Sequence, residues 1–314
     1  MAQVLHCDEI PIDAELVRAL LGRAMPELAG VSVRRLASNG STNALFRLGD
    51  DLLVRLPRQP GGSATIEKEA TWLPTLAPLV PVAVPEVVAV GEPDLDYPER
   101  WSVVRYIDGE HPDVVGPETP VDPRREALAK DLASVLHALT QAPAPPEAVK
   151  DTNLTWYRGD PLATMDQVTR QNIERCRSLP DFAFDLDAAE LIWDEAMQLP
   201  GAAEPATPRW YHGDLAAENL LVRNGTLAAV LDFGGLAVGD PTVDLVVAWE
   251  ILDPPAREQF RTQLGVDDAT WLRGRAWALS ISLMIWYYWA TMPARRASRV
   301  AVGRNVLADA GFPL

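Results

Sequence analysis

The sequence predicts an α+β protein of two lobes, a small β-rich N-terminal lobe and a larger, mainly helical C-terminal one. Three observations carry this. From about residue 31 to 58, apolar and polar side chains alternate between turn-forming clusters, the pattern of half-buried strands. Beyond Gly109 the apolar spacing lengthens to that of helices, in "PRREALAKDLASVLHALT", "PLATMDQVTRQNIERCRSL" and "DLDAAELIWDEAMQL". Strand character then returns around 210 to 235, where "NLLVRN" and "LAAVLDF" meet at Asn224-Gly225, a dipeptide suited to a tight hairpin turn.

Taken in order, residues 13 to 28 form an amphipathic opening helix with Asp13 as its cap. "VSVRRLASNGSTNALFRLGDDLLVRLPR" turns at "SNGST" and again at "GDD", giving successive antiparallel strands. A helix follows in "SATIEKEATWLPTLAPL", with Ile66, Ala70, Leu73 and Leu76 on its apolar face, and "VPEVVAVGE" and "RWSVVRYIDGE" add two strands. The hinge lies near 105 to 109. It divides an N-terminal lobe with its leading helix, 1–106, from a C-terminal lobe, 107–314. Proline-rich "QAPAPPEAVK" and "GAAEPATPRW" separate the later helices as loops. No repeat is visible, and element order alone names no function.

Composition narrows the class. A formal charge of -16 opposes a nucleic-acid surface, which needs basic patches to displace counterions from phosphates. A cationic small molecule suits that charge, although an acidic surface also serves solubility alone. Cys7 and Cys176 stand far apart without metal-ligand spacing, so neither a disulfide framework nor a zinc site is expected. The N-terminus lacks the basic and apolar regions of a secretory signal, and a cytoplasmic protein is expected. The uncharged run Ala276 to Met292 is at the short edge of a membrane span and reads as a buried core helix. A monomer and a dimer are both compatible with the chain.

The chemistry concentrates in "YHGDLAAENLLV", Tyr211 to Val222, and in "LDFGG" after it. Asp214 and Asn219 lie in a loop before one strand, and Asp232 ends the next, so the hairpin carries all three to one end. Hard oxygen ligands at such a place suit Mg²⁺, which prefers few protein oxygens together with substrate phosphates. A carboxylate beside the metal can take a hydroxyl proton. Metal holders, a base and phosphate anchors are the parts of phosphoryl transfer.

"HGDLAAENLLV" with "VLDFGG" and "GDPTVDL" resembles the aminoglycoside and macrolide phosphotransferases, antibiotic kinases with a protein-kinase-like two-lobed fold. The resemblance implies an ATP- or GTP-dependent transfer to the hydroxyl of a small molecule. It assigns Asp214 as catalytic base, Asn219 and Asp232 as Mg²⁺ ligands and His212 as a support of the loop. It assigns Asp240 and Asp244 to capping the helix near Pro241 and bracing that loop. Where the family often has Pro-Gly this chain has Ala217-Glu218; Glu218 is expected to face solvent, the alternative being that it adds charge near the metal.

A nucleotide lobe of this kind needs a cation on its third strand paired with a glutamate on the next helix. In "DDLLVRLPR" the alternation sets Leu52, Val54 and Leu56 on one face and Leu53 and Arg55 on the other. Arg55 therefore stands where the family usually has lysine, with Arg58 as the rival anchor. The family pattern selects Glu69 as the partner and leaves Glu67 exposed. Ser38 and Ser41 of "ASNGST" are implied phosphate neighbours, Arg105 and Ile107 the hinge groups that meet the base, and Val104 a wall of its pocket.

The acceptor is less defined. Carboxylates that could meet it include Asp160, Asp166, Asp181, Asp185, Asp187, Glu190, Asp194 and Glu250. Aromatic candidates are Trp156, Tyr157, Trp249, Trp286, Tyr287, Tyr288 and Trp289. Two other readings stand beside the antibiotic kinase: a metabolic kinase of the same fold acting on a sugar or amino alcohol, and a nucleotide-binding pseudokinase.

Overall fold

The computed structural model describes residues 8–36 and 42–313. Asp13 accepts the N–H groups of Glu15 and Leu16 and starts α1, Ala14–Ala24, before Pro26 opens a short 3₁₀ turn. Three antiparallel strands follow, β1 (Val33–Arg35), β2 (Asn43–Leu48) and β3 (Leu52–Pro57). After α2, Ser63–Leu76, the strands β4 (Val87–Gly91) and β5 (Trp101–Arg105) complete a five-stranded sheet in the order β1-β2-β3-β5-β4. Ser38 and Ser41 lie outside the described residues.

Strand alternation divides the sheet. Ala44, Phe46, Leu48, Val54, Leu56, Trp101 and Val103 bury one face against Val17, Leu20 and Leu21 of α1. The residues between them, Leu53, Arg55, Ser102 and Val104 among them, turn to the other face. Leu53 pairs with Val104 and Arg55 with Ser102 in the register.

The start of α2 has no cap of its own. Gly62 at its N-cap offers no side chain, and the carboxylate of Glu99, in the β4–β5 connection, accepts Gly61 N–H at 2.8 Å and Ser63 N–H at 2.7 Å. A negative charge at a helix N-terminus also meets the positive end of the helix dipole. Glu99 thereby fixes the position of α2 against the sheet.

Beyond β5 come α3 (Arg124–Gln141), α4 (Pro146–Lys150), α5 (Asp166–Arg177) and α6 (Leu186–Ala196). The strand β6, Arg209–Tyr211, leads into the Asp214 loop, and β7 (Leu220–Arg223) and β8 (Thr226–Val230) form the expected hairpin. Asn224 and Gly225, with φ of 54° and 81°, make its turn, the conformation that a primed hairpin turn demands. β9, Ala237–Gly239, returns to pair with β6. The remaining helices are α7 (Val247–Ile251), α8 (Pro254–Leu264), α9 (Asp268–Leu283) and α10 (Pro293–Asp309).

Residues from α3 to α10 share one core with Trp193, Trp210, Trp249 and Trp277 buried in it. The apolar run after Ala276 does enter that core, but α9 ends at Leu283. A 3₁₀ segment, Met284–Tyr288, then carries Tyr287 out to 54% exposure, so the single buried helix expected to Met292 is corrected. Among the described residues no helix is long and apolar enough to cross a membrane.

The Glu99 cap generates a pH-dependent prediction. Burial acts to raise this carboxyl, but the hydrogen bonds from Ser63 and Gly61 outweigh it and hold the group below its ordinary value. Its stabilisation is therefore present above the unfolded value and lost as pH falls through the folded one. Glu99→Gln should cost about 1–2 kcal/mol in urea unfolding at pH 7, and the deficit should shrink as wild type is taken into acid.

Candidate active site

Arg55 is central to the cleft side of the sheet. Its side chain is buried, and Nη1 donates to Glu69 Oε2 on α2 at 2.5 Å while Nη2 lies 3.3 Å from Asp232 Oδ1. Burial alone would lower the guanidinium pKa, but the charges of Glu69 and Asp232 outweigh it, so the cation is retained. Glu69 is the partner expected, and Glu67, on the exposed side of α2, pairs with Arg100 at 3.2 Å. Arg58 is no rival. It turns the other way, donating to Glu9 at 2.7 Å and to the Asn43 carbonyl at 3.1 Å.

Asp232 follows β8 in a left-handed conformation, φ 54°. Asp tolerates this better than most residues, and the conformation turns the chain sharply. Its Oδ1 accepts Gly234 N–H at 3.3 Å as well as facing Arg55. Lys68, beside Glu69 on α2, donates to the Gly234 carbonyl at 2.8 Å and ties the same segment to the helix. Burial lowers the Lys68 pKa, outweighing the attraction of Glu69, Asp151 and Asp232. No pattern in the sequence marks Lys68 for this position.

The loop after β6 is held through its backbone. Asp244, fully within the protein, accepts His212 N–H and Gly213 N–H, each at 2.7 Å. Gly213 has φ 83°, and a Cβ there would meet the Gly235 carbonyl and the Trp156 ring at 2.6 Å, so glycine is required twice over. His212 Nε2 donates to the Leu231 carbonyl at 2.9 Å, while Nδ1 accepts Asp214 N–H at 3.2 Å. That pattern puts the ring proton on Nε2 and locks the loop to the end of β8. Asp240 caps the 3₁₀ turn Pro241–Val246 by accepting Thr242 N–H at 2.9 Å.

Asn219 spends Nδ2 on the Asp214 carbonyl at 2.8 Å, with Asp214 Oδ2 at 3.4 Å, and its own carbonyl accepts Leu231 N–H at 2.7 Å. The amide oxygen is left for another partner. Asp214 receives Arg158 Nη1 on Oδ1 at 2.7 Å. Burial acts to raise the Asp214 carboxyl, but Arg158 outweighs it, with help from Arg299 and His212, and the group lies below its ordinary value. Arg158 was not foreseen. It comes from the short turn Tyr157–Gly159, where no periodicity marks it, and the only signal in sequence is an arginine directly after two aromatics.

Several expectations are corrected here. Glu218 does not simply face solvent; its side chain is 30% exposed and its carboxylate accepts Arg295 Nη2 at 2.6 Å. Burial raises its pKa against the pull of Arg295. Glu250 is buried, accepting Ala217 N–H at 3.1 Å and Ser298 Oγ at 2.8 Å, and so supports the loop from behind. Asp166, Glu190 and Asp194 surround Arg170, Asp187 pairs with Arg177, and Asp185 caps α6. Of the acidic candidates only Asp160 and Asp181 remain exposed without such a structural role. Trp156 and Tyr157 reach the Asp214 loop through Arg158, whereas Trp249 is core and Trp286 donates to Asn172.

At the end of β5, Arg105 N–H is taken by the Glu86 carbonyl and Tyr106 N–H by that of Asp51. Among the described residues Ile107 N–H has no acceptor, while Val104 is buried at 2% exposure. Among the described residues no group of three or more histidines, cysteines and carboxylates is arranged to hold a metal ion. Asn219 and Asp232 thus suit a hard cation that completes its shell with phosphate and water oxygens, as Mg²⁺ does, and not a metal caged wholly by protein.

An antiparallel sheet followed by a mainly helical region that carries this loop and hairpin is the architecture of a kinase-like phosphotransferase. The family model described as "Phosphotransferase enzyme family" matches residues 32–277, and the chain belongs to that family. The fold is shared with the GDP and kanamycin complex of APH(2")-IIia, at TM-score 0.67 and 23% identity over 94% of this chain and 97% of that one. It is shared with the macrolide 2'-phosphotransferase MphH of Brachybacterium faecium, at TM-score 0.58 and 22% identity over 94% and 98%. An aminoglycoside 3'-phosphotransferase of Escherichia coli is 35% identical over 85 residues, a match spanning 26% of this chain and 30% of that protein.

The Arg55 network makes a second prediction. Glu69→Ala should cost about 3 kcal/mol in denaturant unfolding, because it strips a buried cation of its closer partner. Arg55→Ala should weaken nucleotide binding in titration calorimetry, whereas Arg58→Ala should leave it within about twofold despite any loss of stability.

Proposed function

We propose that the protein is a nucleoside-triphosphate-dependent O-phosphotransferase of the antibiotic-kinase type, with Asp214 as base. One observation carries the reading: β7, β8 and their flanking loops bring Asp214, Asn219 and Asp232 to one end of a hairpin, where Asp232 meets Arg55 of the sheet, itself paired with Glu69 of α2. Phosphoryl transfer depends on position and electrostatics more than on covalent help from protein. The relatives known with GDP and kanamycin, or as macrolide 2'-phosphotransferases, support both the nucleotide and the class of acceptor.

In this reading ATP or GTP lies between the sheet and the hairpin, its base against Val104 and between the Arg105 carbonyl and Ile107 N–H. Arg55 meets the phosphates with a forked donor where lysine would offer a point charge. Asn219 and Asp232 would hold Mg²⁺, which neutralises charge on the phosphate oxygens. The acceptor oxygen bonds to the γ-phosphorus, the bond to the bridging oxygen breaks, and Asp214 receives the hydroxyl proton. Asn219 and His212 orient Asp214 for this. A carboxylate placed for the hydroxyl is not needed merely to bind nucleotide, which weighs against a pseudokinase.

The experiment is an acceptor panel of aminoglycosides, macrolides, cyclic peptide antibiotics, sugars and amino alcohols, read by nucleoside diphosphate release and by the mass of one added phosphate. Turnover of an antibiotic supports the reading. Turnover only of a sugar or amino alcohol transfers it to the metabolic alternative, and no diphosphate release with any acceptor counts against an enzyme. Asp214→Ala should lower kcat by roughly 10²–10⁴ with nucleotide affinity kept. Asp232→Ala should instead weaken binding of the Mg²⁺–nucleotide complex.

A further inference from the structure

Asp214 is already occupied. Arg158 Nη1 donates to its Oδ1 at 2.7 Å and to the Gly213 carbonyl at 2.8 Å, and Arg158 Nε donates to the Tyr157 hydroxyl at 3.1 Å. The guanidinium carbon lies 4.5 Å from the centroid of the Trp156 ring, a cation–π distance. Only 11% of the side chain is exposed. A charge-assisted bond, a carbonyl, a hydroxyl and an aromatic face together hold this cation in one place.

The space beside Asp214 is small. It is a cavity of ≈ 10 Å³ bounded by the Asp214 loop, by Val243, Val246 and Ile281, and by Arg158 and Arg299. That is room for about one water, while the Asp214 side chain itself is 38% exposed. The loop is braced by Asp244 and Glu250, and Val243, Val246 and Ile281 are core residues. Arg299 is tied to Glu250 at 3.5 Å. The long arginine side chains are therefore the parts of this wall that can yield without unpacking the lobe, and of the two Arg158 is the one bonded to the base.

We propose that Arg158 is a positioning residue that holds Asp214 while no acceptor is bound and gives up Oδ1 to the acceptor hydroxyl, so that nucleotide is not spent on water. The proposal rests on Asp214 being the base. In the competing reaction a water oxygen bonds to the γ-phosphorus, the bond from phosphorus to the bridging oxygen breaks, and the diphosphate leaves with that electron pair. The water proton goes to Asp214. An acceptor brings contacts over its whole surface that offset displacement of Arg158, whereas a water molecule brings none. Discrimination against water thus follows from which ligand can move one side chain.

The test needs no knowledge of the acceptor. The whole protein is incubated with Mg²⁺ and ATP, or GTP, with no acceptor added, and steady diphosphate release is measured. Arg158→Gln should raise that rate about tenfold, of the order one hydrogen bond to a charged group contributes. Arg158→Lys should fall between it and wild type, and Tyr157→Phe, which leaves the cation but removes one holder, should raise the rate about two- to threefold. Asp214→Asn added to Arg158→Gln should remove the gain. Unchanged or slower hydrolysis in Arg158→Gln, with unfolding and nucleotide binding as in wild type, overturns the proposal; if that variant does not fold, an unchanged rate in Tyr157→Phe does so. Should Asp214→Asn leave hydrolysis unaltered in both backgrounds, the assignment of the base itself fails, a distinct result.

Discussion

One guanidinium joins three parts of the chain. Arg55 lies on a strand, its closer partner Glu69 is 14 residues on in a helix, and Asp232 is 177 residues away at the end of the hairpin. Bringing these together fixes the distance between sheet, helix and hairpin, and hence the shape of the cleft. Buried ion pairs often contribute little net stability because desolvation opposes their attraction, but breaking one leaves an unpaired charge. The arrangement therefore selects a geometry more than it adds stability. Glu99 serves the same end from a distance, since its cap sets where α2 begins and so where Glu69 arrives.

The Asp214 loop is shaped by a different physics. Its N–H groups cannot all find partners in a sheet or helix, and a buried unpaired donor is costly. Two buried carboxylates are spent on them, Asp244 on His212 and Gly213, and Glu250 on Ala217. These two carboxylates after the hairpin are thus structural and not reactive. This also leaves Asp214 to meet a side-chain cation, Arg158, directly, as Glu218 of the same loop meets Arg295.

What local pattern determines is legible in the sequence. Strand alternation placed Arg55 opposite Val54, the Asn224-Gly225 pair located the hairpin, and the spacing of Asp214, Asn219 and Asp232 identified the loop. What escaped was set by tertiary packing. Arg158 sits in an irregular turn, so neither helical nor strand period points to its partner, 56 residues away. Glu218 resembled a surface residue until α10 folded back to bring Arg295 to it, and the helical carboxylates around Arg170 and Arg177 are consumed by neighbours that only helix packing supplies. The end of α9 at Leu283 escaped for the same reason, since an uncharged run does not show where a helix tightens into 3₁₀ turns.

In the reading proposed above, nucleotide and ion are held between Arg55 and the Asn219–Asp232 end of the hairpin. A crystal structure with Mg²⁺ and a non-hydrolysable ATP or GTP analogue tests it most directly. The account predicts phosphate oxygens within hydrogen-bond reach of Arg55 and an ion bound by the side-chain oxygens of Asn219 and Asp232. A nucleotide seated elsewhere, or an ion bound without Asp232, would contradict it.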